Sequence, residues 1–346
     1  MAEGCQLIAD IGATHSRLAI VDNAGWRSET FPTTEYTSAA DLLEVAAVRL
    51  GYTQLAGCCL AVAGPVLAGR ATITNGHLEF VEAELAALLG CPVKVVNDFY
   101  AVACGIPAFT ELLQLGGGAE SGGASGSAKS GAGQVKVVLG PGSGLGMGIL
   151  IPDQGGWQVL PSEGGHADLA PGNPLEQEIL SLLQAKHGSV CWETVLSGPG
   201  LVNLYEVVCQ LWGSEPQAAT PEWISAQGVA AIEPICHQTL DLFFGLLGAA
   251  AGNLALTVCA YGGVYIGGGI VPALQDFAAT SALRRRFEER CGLAGFTKDI
   301  PLYLILDEHP GLIGALACLR SDMRVDIKSD PGSEVEKELQ EQSRGA

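Results

Sequence analysis

Apolar residues in this chain gather into short runs broken by glycine. Gln6 to Asp10 and Arg17 to Asp22 are two such runs, turned by Gly12, and read as a β-hairpin. Cys58 to Val62 alternate into another strand, stopped by Gly64-Pro65. Residues 81–90 carry apolar side chains at helical spacing and close on glycine, the pattern of a helix with its stop signal. Val93 to Val96 then reads as a buried strand ending at Asn97-Asp98, with a helix from Phe99 onward. Strands alternating with helices predict an α/β layer structure.

Residues 116–134 break the pattern. Sixteen of the nineteen are Gly, Ser or Ala, the composition of a linker or loop insertion. The GSAKS within it is not a phosphate loop, because Ala128 stands before Lys129 where that motif requires glycine. Beyond it, Val135 to Ile151 repeats the layout of Cys5 to Val21: apolar strand, Gly-rich turn, apolar strand. An offset of 130 residues lays Gly140-x-Gly142 on Asp10-x-Gly12. The repeat predicts an internally duplicated α/β fold with a cleft between its halves. The boundaries expected are a smaller domain over 1–115, the insertion 116–134, a larger domain over 135–320 and a polar acidic tail over 321–346.

In the second half, Trp157 to Leu160 reads as a strand, and Pro174 to His187 and Leu201 to Trp212 as amphipathic helices. Val264 to Ile266 and Leu302 to Leu306 read as strands, with a helix between them through Phe287 and a closing helix over Gly311 to Leu319. No charge occurs between Asp241 and Asp276, long enough to span a bilayer. Asn253, Gly262-Gly263 and Gly267-Gly268-Gly269 divide that stretch, and it reads instead as a buried helix over 238–260 followed by a strand.

Composition narrows the function. Eighteen Lys and Arg against 37 Asp and Glu give a net charge of −19, which repels nucleic acid. With 16% charged and 48% hydrophobic residues the chain is not disordered. Its 47 glycines keep no triplet period, which excludes a collagen-like chain. The eleven cysteines form no CxxC pair, the pattern of reduced, buried thiols. MAEGCQLIAD lacks a basic leader, and a cytoplasmic enzyme without membrane or nucleic-acid partners is expected.

Two turns carry candidate chemistry. Asp10-Ile11-Gly12-Ala13-Thr14 offers backbone N–H groups, a hydroxyl and a carboxylate that could hold Mg²⁺ through water. Gly140-Pro141-Gly142-Ser143-Gly144-Leu145-Gly146 offers the same N–H groups without the acid. Asn97 and Asp98 end a strand, Glu163 and His166 share a bend read as too Gly-rich to be helical, and Glu193 precedes another Gly/Pro turn. Acids at the carboxyl ends of strands face the ligand crevice of an α/β fold. With Asn and His beside them they suit a polyhydroxylated substrate.

Seven segments in order complete the picture: DIGATHSRLAI at 10–20, VVNDFYAVACGIP at 95–107, GPGSGLG at 140–146, LPSEGGHADLAP at 160–171, ETVLSGPGLVNLY at 193–205, GGVYIGGGIVP at 262–272 and HPGLIGA at 309–315. With these the chain resembles the bacterial-type glucokinases of the hexokinase–actin-like superfamily, from about residue 5 to about residue 320. The resemblance implies two RNase H-like α/β domains flanking the cleft, ATP and Mg²⁺ as cofactors, glucose as substrate and a homodimer. It makes Asp98 the general base for the sugar 6-hydroxyl. Asn97, Glu163, His166 and Glu193 would hold the other hydroxyls, with the Ser143-Gly144 backbone nearby. Asp10, Gly12, Ala13 and Thr14 would form the first phosphate loop, Gly140, Gly142 and Ser143 belong to the second, and Gly267, Gly268 and Gly269 form the nucleotide-side turn.

The first loop departs from the family's D-x-G-G-T-N at Ala13 and His15; Ala13 implies a negative φ there. The CxCGxxGC zinc motif of the related ROK sugar kinases is absent. Two other readings share the fold: a catalytically silent sugar sensor, and a kinase for another acceptor such as fructose, mannose or acetate.

Overall fold

The computed structural model describes residues 4–325 apart from 24, 75, 118–132 and 155. Most of the 116–134 insertion, and the tail beyond residue 325, lie outside the described residues. The chain divides into two compact units, one of residues 1–97 with 311–346 and one of 98–310.

Unit 1 is built on the strands β1 (Gln6–Ile11), β2 (His15–Asp22), β3 (Gly25–Pro32), β4 (Gly57–Val62), β5 (Val66–Leu67), β6 (Arg70–Thr72), β7 (Glu79–Val81) and β8 (Val93–Asn97). Its main sheet has the order β3-β2-β1-β4-β8, with β5, β6 and β7 in a small sheet of their own. The strands β1, β4 and β8 run parallel, and β2 and β3 complete an antiparallel meander. Every residue of β4 is buried, as expected of a central parallel strand covered on both faces. Against the sheet lie helices Ala39–Leu50 and Glu82–Leu89, the second ending at Gly90 as its sequence signal predicts.

Unit 2 adds β9 (Leu112–Gln114), β10 (Lys136–Pro141), β11 (Leu145–Asp153), β12 (Gly156–Ser162), β13 (Val264–Ile266) and β14 (Leu302–Ile305), in the order β12-β11-β10-β13-β14-β9. Its first five strands repeat the order and directions of β3-β2-β1-β4-β8. The expected duplication is therefore present, and an offset of 130 lays Gln6–Ile11 on Lys136–Pro141. The turns differ: four residues separate the paired Ile11 and Ser16, but three separate Pro141 and Leu145.

The units do not divide at the insertion, where the sequence placed the boundary. Leu112–Gln114 pairs antiparallel with β14 and so belongs to the second sheet. The closing helix Pro310–Val325 returns to unit 1, where Leu319 reaches Gly57 at the start of β4. The long uncharged segment forms helix Pro234–Val258, long and apolar enough to cross a membrane. Here Leu240, Phe243, Phe244, Leu247 and Ala251 are fully buried in the core of unit 2. Instead of one helix reaching Phe287, two short ones form, Gln275–Thr280 and Leu283–Glu288, interrupted at the extended Ser281.

Candidate active site

The candidate residues of unit 1 lie at the carboxyl ends of its parallel strands. Ile11, Val62 and Asn97 occupy one level of the sheet, Ile11 pairing with Val62 and Val62 with Asn97. Asn97 is fixed there by its side-chain amide, which donates to the Gly64 carbonyl at 3.1 Å. Asp10, half-buried one residue before the end of β1, meets the first turn of helix Pro310–Val325. A Cβ on Gly311 would stand 2.6 Å from its Oδ2. The glycine of the HPG segment thus lets a helix N-terminus approach the carboxylate, where the helix dipole favours negative charge. Arg17 Nη1 lies 4.0 Å from the same oxygen.

The turn after β1 is tied by Gly12 N–H donating to the His15 carbonyl at 3.0 Å. Ala13 is not among the described residues with positive φ, in accord with its sequence reading. Thr14 and His15 are exposed. A residue that pattern reading passes over, Thr33, reaches this turn from just beyond β3. Its N–H donates to the Thr14 carbonyl at 2.9 Å and its hydroxyl to the Gly12 carbonyl at 2.8 Å.

Unit 2 opens with Asp98 as the first residue of helix Asp98–Gly105, and its Oδ1 accepts the Phe99 N–H at 2.9 Å. Phe99 decides where that helix sits. A Cβ on Gly140 would come 2.7 Å from the ring, and one on Gly146 would overlap it. Two glycines that read from sequence as making room for phosphate therefore make room for an aromatic ring, which joins the Asp98 helix to the β10–β11 hairpin. The turn at Gly267-Gly268-Gly269 packs on the same hairpin. Gly267 N–H donates to the Leu139 carbonyl at 3.0 Å, and Gly268, at φ +83, leaves no space for a side chain beside the Pro141 carbonyl.

Around the tip of that hairpin the polar groups converge. Glu193 Oε2 accepts the Leu145 N–H at 2.7 Å, and Gly144 is the residue whose missing side chain admits that carboxylate. The His166 Nε2 lies 4.0 Å from the other oxygen of Glu193, and its Nδ1 lies 4.0 Å from Cys191 Sγ. Gly142 donates to the Gly144 carbonyl and accepts from Gly198 N–H, both at 2.8 Å, so the helix Gly198–Leu211 braces the loop from behind. Ser143 at the tip is exposed, as is Glu163. The Gly164–His166 segment closes into a single tight helical turn, contrary to its sequence reading, because Glu163 accepts from His166 N–H at 3.0 Å.

Within each unit, then, the predicted residues assemble. Asp10, Gly12, Ala13 and Thr14 share one turn with Asn97 at the same end of the sheet. Gly142, Ser143, Gly144, His166 and Glu193 share another, with Gly267 to Gly269 packed beneath and Asp98 keyed to it through Phe99. Thr33, Phe99, Cys191 and Gly311 were not legible as site residues. The hints were the position of Phe99 inside VVNDFYAVACGIP and of Gly311 inside HPGLIGA.

Two such sheets of matching order each carry a glycine turn at the ends of their parallel strands. The glucokinase family model matches residues 7–322. A glucokinase of Aromatoleum aromaticum is 41% identical over 331 residues, covering 92% of this chain and 97% of that protein. The crystal structure of a glucokinase from an Antarctic psychrotroph aligns with TM-score 0.78 and 32% identity over 92% of this chain and 99% of that one. A glucokinase from Balamuthia mandrillaris, solved in complex with glucose, shares the fold at TM-score 0.77 and 23% identity, covering 92% of this chain and 94% of that one. The chain belongs to the glucokinase family.

Proposed function

We propose that this chain transfers the γ-phosphoryl group of MgATP to the 6-hydroxyl of D-glucose, with Asp98 as general base. The observation that carries the assignment of the base is the seating of its helix: Phe99 keys the Asp98 end onto the Gly140 to Gly146 hairpin. The carboxylate takes the hydroxyl proton as the sugar oxygen bonds to the γ-phosphorus. The bond from that phosphorus to the bridging oxygen breaks, giving glucose 6-phosphate and ADP. Little covalent chemistry is asked of the protein; positioning and charge neutralisation dominate.

In unit 2 Glu193 and His166 are the acceptor and donor for sugar hydroxyls, with Glu163 and the Ser143-Gly144 backbone in the same role; Asn97 is the sugar-hydroxyl group of unit 1. In unit 1 Gly12, Ala13 and Thr14, with Asp10 beside them, offer one phosphate turn; in unit 2 Gly142 and Ser143 offer another, with Gly140 seating Phe99 behind it and Gly267 to Gly269 on the nucleotide side. Among the described residues no group of three or more His, Cys, Asp or Glu could hold a metal ion alone. Mg²⁺ would come with the nucleotide, where Asp10 would hold it through water and the metal would offset the phosphate charge. At a net charge of −19 the protein offers the triphosphate no favourable field of its own, so neutralisation by the metal and by loop N–H groups is required. A cytoplasmic homodimer without nucleic-acid or membrane partners accompanies this reading.

A coupled assay for hexose 6-phosphate across glucose, mannose and fructose tests it. Glucose is the preferred acceptor, and removing Mg²⁺ with a chelator abolishes turnover. No glucose 6-phosphate from the purified chain with MgATP overturns the kinase assignment.

A further inference from the structure

The first phosphate turn is held by a hydroxyl relay buried beneath it. Thr33 is 2% exposed and Ser16 fully buried, and their hydroxyl oxygens stand 2.7 Å apart. Because the Thr33 hydroxyl donates its one proton to the Gly12 carbonyl, Ser16 is the donor to Thr33. The Thr33 N–H holds the Thr14 carbonyl as well. Two carbonyls of the four-residue turn between Ile11 and Ser16 are thus drawn to one buried residue.

A trans peptide is planar, with its N–H antiparallel to its C=O. Drawing the Gly12 carbonyl toward Thr33 turns the Ala13 N–H to the opposite side of the turn. Among the described residues no acceptor meets the Ala13 or Thr14 N–H. Successive N–H groups presented on one side of a bend form an anion nest. We propose that Thr33, seated by Ser16, is the positioning residue that presents the Ala13 N–H, next to that of Thr14, to a phosphate of the nucleotide, an inference that rests on the kinase reading above.

The relay also accounts for the departure at Ala13. A turn whose carbonyls are fixed from below does not need a second glycine to find this conformation. Thr33 touches no substrate; it acts through the peptide plane.

Thr33→Val in the full chain removes the hydroxyl and keeps the shape and the backbone N–H. The KM for MgATP rises about tenfold, the loss expected when one phosphate hydrogen bond is misaligned. The KM for glucose stays within about twofold, because the relay does not reach the sugar groups of unit 2. Thr33→Ser restores the hydroxyl and the ATP KM, and Ser16→Ala, which leaves Thr33 able to donate, gives a smaller rise. Calorimetric binding of MgATP reads the same contrast without turnover. Equal affinity in Thr33→Val and the unmodified chain overturns the role of Thr33, as does an equal rise in both KM values. Failure of the unmodified chain to phosphorylate glucose overturns the kinase reading instead.

Discussion

Asp98 stands at a junction of sequence and space. It ends a strand-reading segment, begins a helix, and spends one carboxylate oxygen on the neighbouring Phe99 N–H. That bond anchors the carboxylate at the start of its helix. Asp98→Asn keeps the anchor and removes the base, so glucose binding is retained while kcat falls about 10²- to 10⁴-fold, the range of a lost general base. Near-native turnover in a steady-state assay would refute the assignment. Residues such as Asp98, Glu193 and His166 were legible because their chemistry sits inside distinctive local strings. Thr33 and Phe99 were not, since each acts on residues far along the chain: Thr33 on Gly12, and Phe99 on Gly140 and Gly146. Nothing local to a threonine after a proline announces a hydrogen bond to a turn 21 residues earlier.

Elements repeat where residues do not. The hairpins β1–β2 and β10–β11 were legible as a pair because a glycine turn between apolar runs survives divergence of everything else. Strand β3 and the small β5–β6–β7 sheet were missed. In β3 seven of the eight residues are exposed or half-buried, Phe31 alone being buried, so edge exposure erases the alternation on which strand reading depends. The unit boundary was missed for a related reason: composition marks the 116–134 insertion, but strand pairing by Leu112–Gln114 decides to which sheet the preceding chain belongs. Element packing in unit 2 also rests on a buried ion pair. Arg286 Nη2 donates to both Glu176 oxygens at 2.7 and 2.8 Å, with the two side chains 8% and 4% exposed. The Gly172 N–H and the Asn173 amide supply further donors to the same carboxylate. Glu176→Gln removes the more deeply buried of the guanidinium's two carboxylate partners, leaving Glu289 Oε2 at 2.8 Å from Nη1, and lowers the unfolding free energy by about 2 kcal/mol, read by urea titration. Arg286→Met in that background recovers part of the loss, because a buried guanidinium left with Glu289 as its one carboxylate partner is then gone; no recovery would show that the pair acts through packing alone.

At the scale of the molecule, both units store thiols in their cores. Cys58 and Cys91 lie in unit 1, Cys209 and Cys236 in unit 2, all buried and reduced. Burial holds each of them above the ordinary thiol range; Cys236 is pushed up to about 11, with the Glu233 carboxylate adding to the effect. Burial likewise raises Tyr52 and Tyr265, one in each unit. The sign follows from proton counting. Above pH ~9 the unfolded chain releases thiol protons that the folded chain retains, so folding takes up protons and stability falls as pH rises. Lys136 opposes this, since burial against the Trp157 and Tyr265 rings lowers its ammonium and makes the unfolded chain the better proton binder there. One lysine is set against several thiols and phenols spread over both cores, and the acids prevail. The urea midpoint measured under reducing conditions therefore declines between pH ~8 and ~10. Cys236→Ala loses part of that decline while keeping its direction, because the remaining buried acids still titrate. A midpoint that holds or rises over the same interval would mean that these groups are as accessible in the folded chain as in the unfolded one, and the cores would have to be looser than the packing around Cys58 and Cys236 implies.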